Sequence, residues 1–153
     1  MQSCRLGKIR LAQKQYSSAE NALREAVKLD KDSVEALVQL GVCLFWQQRF
    51  QESIAMLESA LIHSPELAEA QYNLGLSLAS IKKTPEAKTA FTKAIRSKPG
   101  LVDAYVGLAT LFIQDQQIEE AYKTLLKARE VSPDHPRVIS MLQQFQQSPR
   151  QTP

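Results

Sequence analysis

Apolar side chains recur along the chain at intervals of three and four residues, the spacing that gathers them on one stripe of a helix. Leu37, Leu40, Gly41 and Leu44 form one such stripe and Ile54, Leu57, Ala60 and Leu61 the next, with polar Gln47, Gln48 and Arg49 between them. Each stripe needs a partner to cover it. A short polar connection lets the two helices satisfy each other as an antiparallel hairpin.

Displacing the sequence against itself by 34 positions brings whole columns into register. Leu6, Leu40, Leu74 and Leu108 align, followed directly by Gly7, Gly41, Gly75 and Ala109. Further on stand Ala19, Ser53, Ala87 and Ala121, then Leu23, Leu57, Phe91 and Leu125, then Ala26, Ala60, Ala94 and Ala128. Pro65, Pro99 and Pro133 close three periods, with Lys31 at that place in the first. Small residues let two backbones approach where the hairpin crosses, and proline turns the chain by removing a donor and restricting its predecessor.

These columns, over roughly residues 1–135, resemble the tetratricopeptide repeat family. The resemblance implies an all-α fold, a right-handed α-solenoid of antiparallel helical hairpins. Repeats are expected at about 1–33, 34–67, 68–101 and 102–135. The segment Pro136–Gln146 carries Val138, Ile139, Leu142 and Phe145 on one side and Arg137, Ser140, Gln143 and Gln144 on the other, so a capping helix is predicted there. Residues 1–147 are expected to form a single domain and 147–153 a disordered tail. The first hairpin has no such cap, so an upstream element or contact with a second copy is expected at that end.

Composition narrows the function classes. At 153 residues, 44% hydrophobic and 23% charged, the chain has the make-up of one folded domain. A net charge of +3, with acids and bases interleaved, is too weak a field to call for nucleic acid. No apolar run is long enough for membrane insertion and no leader is legible, which points to the cytoplasm for the chain as given. Two cysteines, Cys4 and Cys43, offer neither a disulfide framework nor metal spacing and read as small buried side chains.

The family resemblance further implies protein–protein interaction, with the first helix of each hairpin lining a concave groove. In this sequence the groove face of the second period carries Val38, Val42, Phe45 and Trp46. Its counterparts are Cys4, Lys8, Leu11 and Ala12 in the first, Tyr72, Leu76, Ala79 and Ser80 in the third, and Val106, Thr110, Ile113 and Gln114 in the fourth. Inter-repeat packing is the competing role for Val38, Val42, Phe45 and Leu76, and the preferred one for Phe45. The expected partner-binding set is Val38, Val42, Trp46, Tyr72, Asn73, Leu76, Val106 and Thr110. Glu35, Glu69 and Asp103 line one edge of the groove, but each lies in a helix's first turn, where the macrodipole favours a carboxylate without any partner.

Two specific sites known in the family do not map. The clamp that holds a heat-shock protein's terminal carboxylate would need Lys and Asn where this chain has Cys4 and Lys8, Asn at Gln39, and Lys and Arg at Glu69 and Asn73. The asparagine ladder of the O-GlcNAc transferase array would need Asn at Arg5, Gln39, Asn73 and Gly107, and Asn73 alone fits. No catalytic or metal spacing is legible, His63 and His135 read as surface residues, and no cofactor is called for. The cluster Lys82, Lys83, Lys88, Lys93, Arg96 and Lys98 lacks interleaved aromatics and reads as a solvated convex face. The expected function is a non-enzymatic scaffold or adaptor that binds a peptide or helix of another protein in an apolar groove. The alternative is a self-assembling structural module, a homo-oligomer through its uncapped first hairpin or part of a longer array.

Overall fold

The computed structural model describes the backbone of residues 2–147 and the side chains of residues 16–147. The expected tail, and the side chains of Cys4, Lys8, Leu11 and Ala12, lie outside these. All described elements are helices: α1 (Gln2–Leu29), α2 (Val34–Trp46), α3 (Phe50–His63), α4 (Ala68–Ser80), α5 (Thr84–Ser97), α6 (Val102–Gln114), α7 (Ile118–Val131) and α8 (Pro136–Gln147). Each packs on its chain neighbours, and α2, α4 and α6 also touch in series, so the molecule is an α-solenoid of stacked hairpins. Among the described residues no helix is long and apolar enough to cross a membrane.

The repeated columns are the crossing points of the hairpins. Leu57, Leu125, Ala60, Ala94, Ala128 and Ala87 are fully buried, and Phe91 nearly so. A Cβ added to Gly41 would stand 2.7 Å from Leu57 Cγ, so the glycine is what lets α2 close onto α3. Ser53 fills an alanine column without leaving a buried hydroxyl orphaned: its Oγ donates to the Gly41 carbonyl at 2.7 Å and lies 2.9 Å from Ser77 Oγ. The three tight turns place Gln48, Lys82 and Gln116 at φ near +60°, although none is glycine.

Carbonyls of the loop prolines are tied to the following helix at a fixed spacing. Gln71 Nε2 donates to the Pro65 carbonyl at 3.2 Å, and Tyr105 Oη donates to the Pro99 carbonyl at 3.0 Å. At the far end α8 covers the last hairpin as expected, with Val138 and Leu142 buried in a cluster that also holds Val106, Ala109 and Leu125.

The first period departs from the others, because α1 runs without a turn through the positions aligned with Gln47–Arg49. Gln13, Lys14 and Gln15 are helix formers and do not force a break. The apolar stripe that folds a first helix back is also weaker here: Gln2 stands in the column of Ala36, Ala70 and Ala104, and Arg10 in that of Leu44, Leu78 and Phe112. With less apolar surface to bury by turning, the helix continues.

Candidate partner-binding face

Because α2, α4 and α6 lie side by side, residues 34 apart on them share one face. Trp46 ends α2 and is 60% exposed, the most open aromatic side chain described. It stands edge-on to Phe45 with ring centroids 5.6 Å apart, and Phe45 meets Phe50 at the same separation. Phe45 is therefore a half-buried support between Trp46 and α3, and these ring contacts lie within its own hairpin, not between repeats as expected.

Val42, Tyr72 and Leu76 are half-buried, each with one side packed on the core. Tyr72 leans on Phe91 with centroids 5.9 Å apart. Asn73 and Thr110, also half-buried, donate to their own helix, at 2.9 Å to the Glu69 carbonyl and 2.8 Å to the Val106 carbonyl.

Val38 and Val106 are corrected. Both were expected on this face, and both are core, 3% and 2% exposed. Val38 sits in the cluster that contains Ala70 and Leu74 of α4, and Val106 in the one completed by α8. At these turns the neighbouring helix approaches closely enough to cover a valine, whereas four residues later, at Val42 and Thr110, the face opens.

Glu35, Glu69 and Asp103 lie exposed in the first turns of α2, α4 and α6. Asp103 stands 3.9 Å from His135 Nε2 at the entry to α8. Burial pushes the Tyr72 hydroxyl above its ordinary value, the Asp103 charge adds to this, and Arg137 opposes it. The capping helix thus brings a base to a face otherwise edged with acid. Sequence reasoning missed this, although Arg137 falls 34 residues after Asp103 and would have emerged had the repeat register been carried into α8.

The basic cluster also needs correction at one member. Lys88 is not a free surface cation: its Nζ lies 2.6 Å from Asp115 Oδ2 and 2.6 Å from Gln117 Oε1, over the Phe112 ring. It ties α5 to the turn between α6 and α7. Two periods earlier Glu20 does the same with reversed charge, accepting from Arg49 at 2.7 Å and Gln47 at 2.9 Å in the turn after α2. Burial raises the Glu20 carboxyl, but hydrogen bonds from Gln47, Arg24 and Arg49 and the Arg49 charge outweigh it and hold it at about 2. A cleft of about 320 Å³, lined among others by Glu58, Ile62, Lys93 and Arg96 of α3 and α5, contains none of the expected binding residues.

The sequence pattern of the tetratricopeptide repeat family matches residues 10–74 and 78–145. Over 120 residues the chain is 28% identical to a UDP-N-acetylglucosamine–peptide N-acetylglucosaminyltransferase of Giardia intestinalis, a match covering 78% of this chain and 8% of that protein. It spans between 8% and 16% of the length of the curated relatives it matches. Among solved structures it is similar to MamA, with a TM-score of 0.78 and 24% identity over 83% of this chain and 74% of that one. It is also similar to YrrB, a tetratricopeptide repeat protein with an unusual peptide-binding site, with a TM-score of 0.77 and 21% identity over 90% and 71%. Repeated columns, stacked hairpins and the extent of the family match lead to one conclusion: the chain belongs to the tetratricopeptide repeat family.

Proposed function

We propose that the chain is a non-catalytic interaction module that binds a peptide or helical segment of a partner protein along the face of α2, α4 and α6. The observation that carries this reading is Trp46, an exposed aromatic beside the half-buried apolar patch of Val42, Tyr72 and Leu76. A large rigid ring with its support already packed loses little freedom on binding, which is why tryptophan and tyrosine so often anchor interfaces. Asn73 and Thr110 add polar edges, and the carboxylates of Glu69 and Asp103 favour a partner segment with a basic residue next to its apolar anchor. YrrB, with its peptide-binding site on a similar array, supports the same use of the fold. The transferase relative lends no chemistry, since the matched segment is so small a part of it. A cytoplasmic setting suits a chain whose buried Cys43 is a free thiol.

The test pairs the chain with its Trp46→Ala, Leu76→Ser double variant as baits in an affinity capture. A protein held by the first and lost by the second, with both baits equally helical, is the expected result. Equal capture by both sinks the proposal and moves binding off this face.

A further inference from the structure

The half of α1 over residues 16–29 is built like the second helix of a hairpin but lacks its cover. Its columns are those of α3, α5 and α7, where Ser53, Ala87 and Ala121 are fully buried and the large apolar residue four places on is at most 1% exposed. In α1 the same columns stand open: Ala19 is exposed and Leu23 half-buried, and Ala26, whose counterparts Ala60, Ala94 and Ala128 are fully buried, is half-buried as well. In each of α3, α5 and α7 the covering element is the first helix of the same hairpin. Here the matching positions, Leu6 and Gly7, lie on the same continuous helix. Gly41 meets Leu57 in direct contact, but Gly7 and Leu23 are 16 positions apart on one helix, about 24 Å along its axis at 1.5 Å per residue. A straight α1 cannot lay its own first half on its second.

We propose that α1 completes the first hairpin between two copies of the chain. In a two-fold dimer, residues 2–12 of each α1 lie antiparallel on residues 16–29 of the other. A single register serves both halves. Placing Gly7 of one copy opposite Leu23 of the other, as Gly41 is opposite Leu57, centres the two-fold axis at Gln15 and sets Leu23 of the first opposite Gly7 of the second. The contact is isologous and closes on itself, an exchange of an identical element between protomers. The 16–29 half is already fixed for this purpose. Glu20 ties it to Arg49 and Gln47, and the Tyr16 carbonyl accepts from Cys43 Sγ at 3.1 Å, both on the side facing the array. Gln13, Lys14 and Gln15, where the other hairpins turn, act as the hinge that stays helical in the exchanged form.

Sedimentation equilibrium of the full chain, from low micromolar to near-millimolar concentration, tests this with three variants. The wild-type chain is expected to sediment as a dimer. Ala19→Arg puts a charge on the open face, where the single copy has room for it, and weakens association about tenfold or more. Lys14→Gly stands at the position where Gln48, Lys82 and Gln116 adopt positive φ, so it favours the turn, lets the hairpin close within one copy and yields monomers of undiminished helicity. Ile62→Arg, at an exposed apolar residue away from α1, leaves the dimer intact. A wild-type chain that stays monomeric throughout overturns the proposal, as does a dimer indifferent to Ala19→Arg. A dimer broken by Ala19→Arg but untouched by Lys14→Gly overturns the exchange. The Trp46→Ala, Leu76→Ser variant dimerises like wild type whatever its effect on capture, so this result and that of the binding face are read separately.

Discussion

Phe91 shows how much one ring can dictate to its neighbours. It is the only aromatic in a column otherwise held by Leu23, Leu57 and Leu125, and it is 1% exposed. A Cβ on Gly75 would fall 2.8 Å from its ring, and a Cβ on Gly107, in the next hairpin, 2.7 Å from its Cζ. Gly75 is visible in the repeat because it lies in the Leu-Gly column. Gly107 is not, since it occupies the column of Gln39 and Asn73, where the repeat asks for no glycine. Only packing across hairpins reveals that the larger ring is matched by a missing side chain on α6. Gly107→Ala is therefore expected to cost about 1–3 kcal/mol through overpacking. Urea unfolding of the double-mutant cycle checks the cause: in a Phe91→Leu background the same substitution should cost clearly less, and additive penalties would refute the pairing. The Tyr105 hydroxyl makes a similar point, as its bond to the Pro99 carbonyl repeats that of Gln71 to Pro65 with a different side chain. Tyr105→Phe leaves the ring packed and should lower stability by about 1 kcal/mol in the same assay.

Between elements, the recurrent device is a side chain of one hairpin's second helix reaching the turn of the next. Glu20 and Lys88 occupy equivalent positions and carry opposite charge, and their partners Arg49 and Asp115 are reversed accordingly. Column comparison by residue type hides such a pair, because what repeats is the complementarity and not the residue. Its pH dependence has a definite sign. The Glu20 carboxyl titrates at about 2 in the folded chain against an ordinary 4.5, so its stabilisation is complete above pH 4.5 and drains away as the pH falls from 4.5 through 2. Chemical unfolding at pH 6 and pH 3 should show a smaller loss for Glu20→Gln than for wild type, and an equal loss would place the acid sensitivity elsewhere.

From α2 onward the hairpin order and the cap were legible because apolar period and proline spacing are strong signals, whereas the unbroken α1, expected as a hairpin, was not. The turn conformation was not, since Gln48, Lys82 and Gln116 take a left-handed φ that glutamine and lysine do not advertise. Gln116→Gly should relieve that strain, about 1–2 kcal/mol, against an unfolded-state entropy cost of about 0.4–1 kcal/mol, for a small net gain in stability. The binding face was legible only in outline. Helical angle alone puts Val38 and Val42 on one side, and it takes the neighbour's distance to separate the covered valine from the open one.

At the scale of the molecule, the described helices pack in chain order, and α6 is where two apolar clusters meet. Leu108 and Leu111 face the cluster built from α2 to α6, while Tyr105, Val106 and Ala109 face the one closed by α8. An array joined this way stores its stability in neighbour terms, so a lesion at one end need not be felt at the other. Val138 tests this, because it is fully buried at the join of α8 to the last hairpin. Val138→Asp places a carboxylate at this buried position among apolar side chains, and burying a charge is among the costlier lesions known. Hydrogen exchange should then show protection lost over α6, α7 and α8 while the amides of α2 and α3 keep theirs. Uniform loss along the whole chain would mean that the two clusters unfold as one, and that α6 is a shared core helix instead of a boundary.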